Sequence, residues 1–90
     1  MTKAVITVVG KDTVGIIAKI CTYLAAQKIN ILDISQTIVG GFFNMMMIVD
    51  ISDMAESYGE LVSGLDNAGK EVGVVIHCQK EDIFTMMHRI

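Results

Sequence analysis

The sequence predicts an α+β fold: a ferredoxin-like βαββαβ sandwich with a four-stranded antiparallel sheet, two helices on one face and a short C-terminal helix. Three observations carry that prediction. Segments rich in β-branched residues alternate with segments whose apolar residues recur every three or four positions, in the order strand, helix, strand, strand, helix, strand. A Gly-Gly pair joins the two middle strands, as a tight hairpin requires. Of the 90 residues, 52% are hydrophobic and the mean hydropathy is +0.55, which fits a packed domain and exceeds what a lone sphere of this size hides easily.

The first strand is read over Lys3–Val9 and ends in the loop Gly10-Lys11-Asp12-Thr13-Val14-Gly15. From Val14 the period turns helical through Ile17, Ile20, Cys21, Leu24 and Ala25, with Asp12 or Thr13 as N-cap and a stop near Gln27-Lys28. A second strand covers Ile29–Val39, and Gly40-Gly41 supplies the positive φ of the hairpin. The third strand, Phe42–Ile51, puts Phe43, Met45, Met47, Val49 and Ile51 on one face. Phe42, Asn44, Met46, Ile48 and Asp50 lie on the other, which is still mostly apolar.

Ser52 or Asp53 caps the second helix, whose stripe is Tyr58, Leu61, Val62, Leu65 and Ala68, with Gly69 at the αL stop. Gly59 and Gly64 inside it cost about 1 kcal/mol each relative to alanine, so tertiary packing must hold this helix. Val72–Gln79 forms the fourth strand, and Lys80-Glu81-Asp82 opens the short last helix with Ile83, Phe84 and Met87 as its apolar side. Residues 1–90 make a single domain. Two helices cover one sheet face and nothing in the order covers the other. The apolar excess therefore goes to a dimer interface of Phe42, Met46 and Ile48 with Ile83, Phe84 and Met87.

Composition excludes several classes. Only 19% of the residues are charged and hydrophobicity is high, so the chain is not disordered. Seven Lys and Arg against ten Asp and Glu, net charge −3, argue against direct binding of nucleic acid. No apolar run is long enough for a signal peptide or a membrane span. Cys21 and Cys78 are far apart and read as reduced, buried thiols in a cytoplasmic protein.

Catalytic and metal patterns are not legible. His77 and His88 have no Cys, Asp or Glu at ligand spacing, Cys21 lies in a helical apolar stripe, and Ser35 and Thr37 have no base nearby. Met45-Met46-Met47 alternate across a strand and cannot share one cup. No cofactor is expected. The loop Gly10–Gly15 is different, because it joins a strand end to a helix start whose N–H groups lack partners. Such a place suits a carboxylate, and Asp12 could meet an ammonium group, so a free amino acid would match. The same Gly, Asp and Thr residues also serve as ordinary loop and cap residues.

The segment ITVVGKDTVGIIAKICTYLAAQKINILDISQTI resembles the opening of an ACT domain, with Gly10, Asp12, Gly15 and Asn30 at its hallmark positions. FFNMMMIVDIS and EDIFTMMHRI are similar to the small stand-alone ACT proteins of bacteria and archaea, and to the ACT modules of the glycine-cleavage-system repressor family. The resemblance covers essentially the whole chain. It implies a ferredoxin-like module that dimerises and senses small molecules, often amino acids, at a subunit interface. By matching position it implicates Gly10, Asp12, Thr13, Val14, Gly15 and Ile16 from the loop, and Asn30, Ile31 and Leu32 from the second strand. Any regulated protein would be a separate partner. The expected function is a non-catalytic, dimeric amino-acid sensor, and the alternative is a dimerisation or interaction module with no ligand. Other proteins of this architecture fit less well. The first loop lacks the Arg of acylphosphatases and the MxCxxC of metal chaperones, and the surroundings of Phe42 and Phe43 are too acidic for an RNA-recognition motif.

Overall fold

The structure is a computed structural model and describes residues 2–81. It contains β1 (Lys3–Lys11), α1 (Ile16–Ala26), β2 (Asn30–Val39), β3 (Phe42–Asp50), α2 (Tyr58–Val72) and β4 (Val74–Lys80). The strands form one antiparallel sheet in the order β2-β3-β1-β4. This is the expected βαββαβ sandwich. The expected last helix, with Ile83, Phe84 and Met87, lies outside the described residues.

Alternation decides what is buried. Ala4, Ile6 and Val8 of β1, Phe43, Met45, Met47 and Val49 of β3, and Val74 and Ile76 of β4 all point to one face. There they pack with Ile16, Ile20 and Leu24 of α1 and Leu61 and Leu65 of α2. The helical stripes are narrower than the sequence suggested, since Ile17 and Val62 are exposed. The opposite face carries no described element. Its middle row runs Ser35, Met46, Thr7, His77 across the four strands, and Val9, Phe42, Met46 and Val75 stand exposed on it. Val5 is buried between Ile48 and Gln79 in the neighbouring row.

Several boundaries differ from the sequence reading, each for a local reason. β1 runs on through Gly10 and Lys11, because Gly10 pairs with both Phe43 and Val74. A Cβ at Gly10 would stand 2.7 Å from Val74 Cγ1, so the glycine lets β4 start close by. Neither Asp12 nor Thr13 caps α1. The capping position is Gly15, at φ +93°, and the Thr13 hydroxyl donates instead to the Val72 carbonyl at 3.3 Å. At the other end α1 stops as expected: Lys28 takes φ +60° and Ile29 N–H donates back to Leu24 O.

Ser52 does not cap α2, because its hydroxyl is committed elsewhere. It donates to Asp50 Oδ1 at 2.6 Å and accepts from Thr2 N–H at 2.8 Å. Asp53 does not cap it either, for the cap is Ser57. Ser57 forms a reciprocal box with Glu60: its hydroxyl accepts from Glu60 N–H, and the Glu60 carboxylate accepts from Ser57 N–H. Gly69 is not the stop of this helix, which ends at Gly73, φ +76°. Gly69 is buried in the last turn of the helix, where only a residue without a side chain clears the Val74 carbonyl.

Candidate functional site

The turn between β1 and α1 is held from two sides. Asp12 N–H donates to Gly41 O of the β2–β3 hairpin at 2.8 Å, and Thr13 is tied to the end of α2. Gly15 takes the left-handed conformation, with nothing within 4 Å of where a Cβ would stand. The first turn of α1 therefore opens onto free space, and no side chain caps its N–H groups. Lys19 N–H returns to Gly15 O, so the orphan donors are those of the residues before it.

Facing this turn is a hollow of about 250 Å³, lined by Asp12, Thr13, Gly15, Ile16, Ile17, Ala18, Gln36, Ile38 and Phe43. Its floor is apolar, from Ile16, Ile38 and Phe43. Its polar groups are the Asp12 carboxylate, the Gln36 amide and the helix N-terminus, whose partial positive charge favours an anion. The hollow can thus offer an ammonium partner, an amide and a carboxylate seat around an apolar pocket.

Of the residues singled out from sequence, Asp12, Thr13, Gly15 and Ile16 line this hollow. Gly10 lies inside β1, and Val14 projects fully into solvent and is not among the lining residues. Asn30, Ile31 and Leu32 stand elsewhere. Asn30 opposes Asp50 at the far end of β2, and Leu32 is the extra residue of a bulge between Ile31 and Asp33. That end is about 25 Å along the strand from Ile38, at about 3.3 Å per residue. One chain therefore does not bring the two groups together.

Gln36, Ile38 and Phe43 were missed, although the signal was in the sequence. A two-residue Gly40-Gly41 turn pairs Val39 with Phe42, so Ile38 must oppose Phe43 and Gln36 must oppose Met45, all on the helix-covered face.

The other chemistry-bearing groups stand apart from this hollow. Cys21 and Cys78 are free and partly buried. Burial pushes the Cys78 thiol up, away from the thiolate, against a smaller opposing pull from Tyr58. His77 is exposed on β4. Among the described residues, no three of His, Cys, Asp and Glu gather where they could hold a metal ion, and no helix is long and apolar enough to cross a membrane.

Comparison with known proteins gives this geometry a family. The chain is 59% identical over 90 residues to a UPF0237 protein of Bifidobacterium longum, covering all of both chains. An ACT domain protein from Streptococcus pneumoniae superposes with TM-score 0.81 at 40% identity, over 92% of this chain and 93% of that one. A chain assigned as a glycine cleavage system transcriptional repressor shares the fold, with TM-score 0.72 at 21% identity over 88% of this chain and 45% of that one. The ACT domain family model matches residues 2–79, a span that takes in the β1–α1 turn, all four strands and both helices but for the last residue of β4. With the sandwich, the glycine-bearing turn and Asn30 at the head of β2 all in place, this chain belongs to the ACT domain family.

Proposed function

We propose that this protein is a non-catalytic regulatory module that binds an amino acid where two copies meet along β2. The observation that carries the proposal is the separation just described. The β1–α1 turn lies at one end of β2, and Asn30, Ile31 and Leu32 lie at the other. Two β2 strands paired antiparallel about a two-fold axis would set the Asn30 end of one copy beside the turn of the other. The ligand carboxylate would then sit on the N–H groups of α1 and its ammonium on Asp12, with the partner's Asn30 amide closing the site.

β2 suits that contact. It is a ten-residue edge strand with no proline or lysine and a single charge, Asp33. Ile34, Ile38 and Val39 are exposed along it. Such an edge is a template for pairing unless something covers it. The two free thiols suit a reducing cytoplasm.

Calorimetric titration with each of the twenty amino acids tests the proposal. One or a few should bind, and both Gly15→Val and Asn30→Ala should abolish the heat. Valine at Gly15 would fill the approach and would have to adopt φ +93°. Binding that survives Asn30→Ala but not Gly15→Val would place the site within one chain. No heat from any of the twenty would leave the second reading, a dimerisation module without ligand. That reading is favoured by the size of the hollow, which is below the ~300–1,000 Å³ of most small-molecule pockets.

A further inference from the structure

We propose that residues 82–90 of this same chain seat as a short helix across one end of the open sheet face, over Val5, and so cover that end from within the molecule. Val5 carries the argument. It is 4% exposed, yet it stands on the face that no described element covers. Val9, four residues along the same strand and on the same face, is 48% exposed. The neighbours of Val5 in the sheet, Ile48 and Gln79, stand parallel to it and wall it in without roofing it. Burial also falls off within one row. Ile48 and Gln79 are half-buried, whereas in the next row Met46 and His77 are exposed and only Thr7 between them is half-buried. In the row after that Val9 and Val75 are both exposed. The gradient describes a cover over one end of the face only.

The chain itself leaves the sheet at that end. β4 stops at Lys80, which pairs with Ala4, one position from the row of Val5. Glu81 already has helical backbone and is half-buried. Nine residues follow it. As a helix they extend about 14 Å at 1.5 Å per residue. The three gaps between four strands also sum to about 14 Å at 4.8 Å each, so the segment starts over the β4 edge and can cross β1 and β3. Helical spacing puts Ile83, Phe84, Met87 and Ile90 on one side of it and Thr85 and Arg89 on the other. The apolar side matches Val5 and Ile48, and the polar side is left to water.

Width agrees as well. A helix is about 10 Å across with its side chains, and same-face rows of a sheet are about 6.7 Å apart. One helix therefore roofs the row of Val5 and part of the next, and leaves Val9, Phe42 and Val75 open at the hairpin end, as their exposure requires. Any protein that takes the whole face must first lift this segment. Residues 82–90 thus decide which half of the face is free for a partner.

NMR of the full chain with a soluble gadolinium chelate tests this, because the chelate relaxes methyl groups according to their exposure. In the wild type the Val5 methyls should be relaxed about a tenth as strongly as those of Val9, in line with exposures of 4% and 48%. Phe84→Asp puts a charge on the apolar side of the segment. It should raise the relaxation of Val5 severalfold and leave Val9 and Val75 as they were, which also shows that the sheet is intact. Thr85→Asp puts the same charge on the opposite side and should leave Val5 protected. The Phe84 ring should give nuclear Overhauser contacts to the Val5 and Ile48 methyls. In a mixture of labelled and unlabelled chain, none of these contacts should run between copies. Val5 protection that survives Phe84→Asp overturns the proposal and leaves the stem of Lys3, half-buried beside Val5, as the roof. Protection lost equally in Thr85→Asp overturns seating by the apolar side. Contacts between copies overturn a cover from within the chain.

Discussion

Three glycines interrupt α2, and their neighbours dictate different responses to the same substitution. Alanine at Gly69 would place its Cβ 2.7 Å from the Val74 carbonyl oxygen and 3.1 Å from Ile76 Cγ1. That oxygen belongs to the backbone of β4, which is fixed by its ladder with β1, so α2 itself would have to lift off the sheet. Overpacking against backbone falls in the upper part of the 1–3 kcal/mol range, while helix propensity returns about 1 kcal/mol, for a net loss of about 1–2 kcal/mol. Gly59 has nothing within 4 Å of its would-be Cβ, so there alanine keeps the propensity gain of about 0.5–1 kcal/mol. In a domain of this size each kcal/mol moves Tm by about 4–8 °C. Gly69→Ala should melt at least about 4 °C below wild type and Gly59→Ala a few degrees above it. Calorimetric melts should be made at one fixed protein concentration, because the self-association proposed above would make Tm concentration-dependent. If Gly69→Ala melts at or above wild type, α2 does not rest on the β4 backbone as described, and the close-packed helix layer is wrong.

Gly64→Ala should fall between these two. Its Cβ would overlap the Tyr23 hydroxyl, and the ring must swing away and give up its hydrogen bond to Glu56, for a net loss of about 1 kcal/mol in the same melts. Ser57→Ala should cost about 1 kcal/mol by breaking the capping box, and NMR titration should show the Glu60 carboxyl rising from its lowered position toward the ordinary range. The Ser52 hydroxyl, and then its N–H, hold the Asp50 carboxyl below the usual carboxylate range. A depressed pKa in the fold contributes stability above the unfolded value, and that stability is lost as pH falls through the folded one. Ser52→Ala should therefore flatten the decline of Tm below about pH 4. Burial, with the neighbouring Cys78, pushes the Tyr58 phenol up to about 12. Its raised pKa contributes stability below pH 10 that disappears as pH rises through 12, so Tyr58→Phe should lessen alkaline destabilisation, read by far-UV circular dichroism.

The strands and the covered face were legible because period 2 leaves little choice. Once Met45 and Met47 point inward, Phe42 and Met46 must point out. The caps were less legible, because a serine is only a candidate until its competitors are known. Ser52 and Ser57 look alike in sequence, yet Asp50 and Thr2 engage the first and leave the second to meet Glu60. Gly69 and Gly73 are likewise indistinguishable until β4 is laid beside α2 and shows which of them must avoid a clash. Of the candidate site, the turn was legible through its glycines. Gln36 and Ile38 needed the strand register, and the separation of Asn30 from the turn is a property of strand length that no local pattern displays.

That separation has an energetic consequence for a sensor. If the ligand touches the turn of one copy and the head of β2 of another, it binds the dimer and not the monomer. Its binding energy then appears directly in the association constant. At a ligand concentration one hundred times Kd, each site adds about 2.7 kcal/mol, and a symmetric dimer has two such sites. Their sum, about 5 kcal/mol, changes the dimerisation constant by a factor on the order of 10⁴. The open edge of β2 fits such coupling. Its ladder would be a short one of ten residues per strand, so backbone pairing alone would hold two copies together only weakly. A tighter edge would be dimeric at all concentrations, and ligand would change nothing. On this argument the modest length of the edge ladder is what leaves the ligand something to decide.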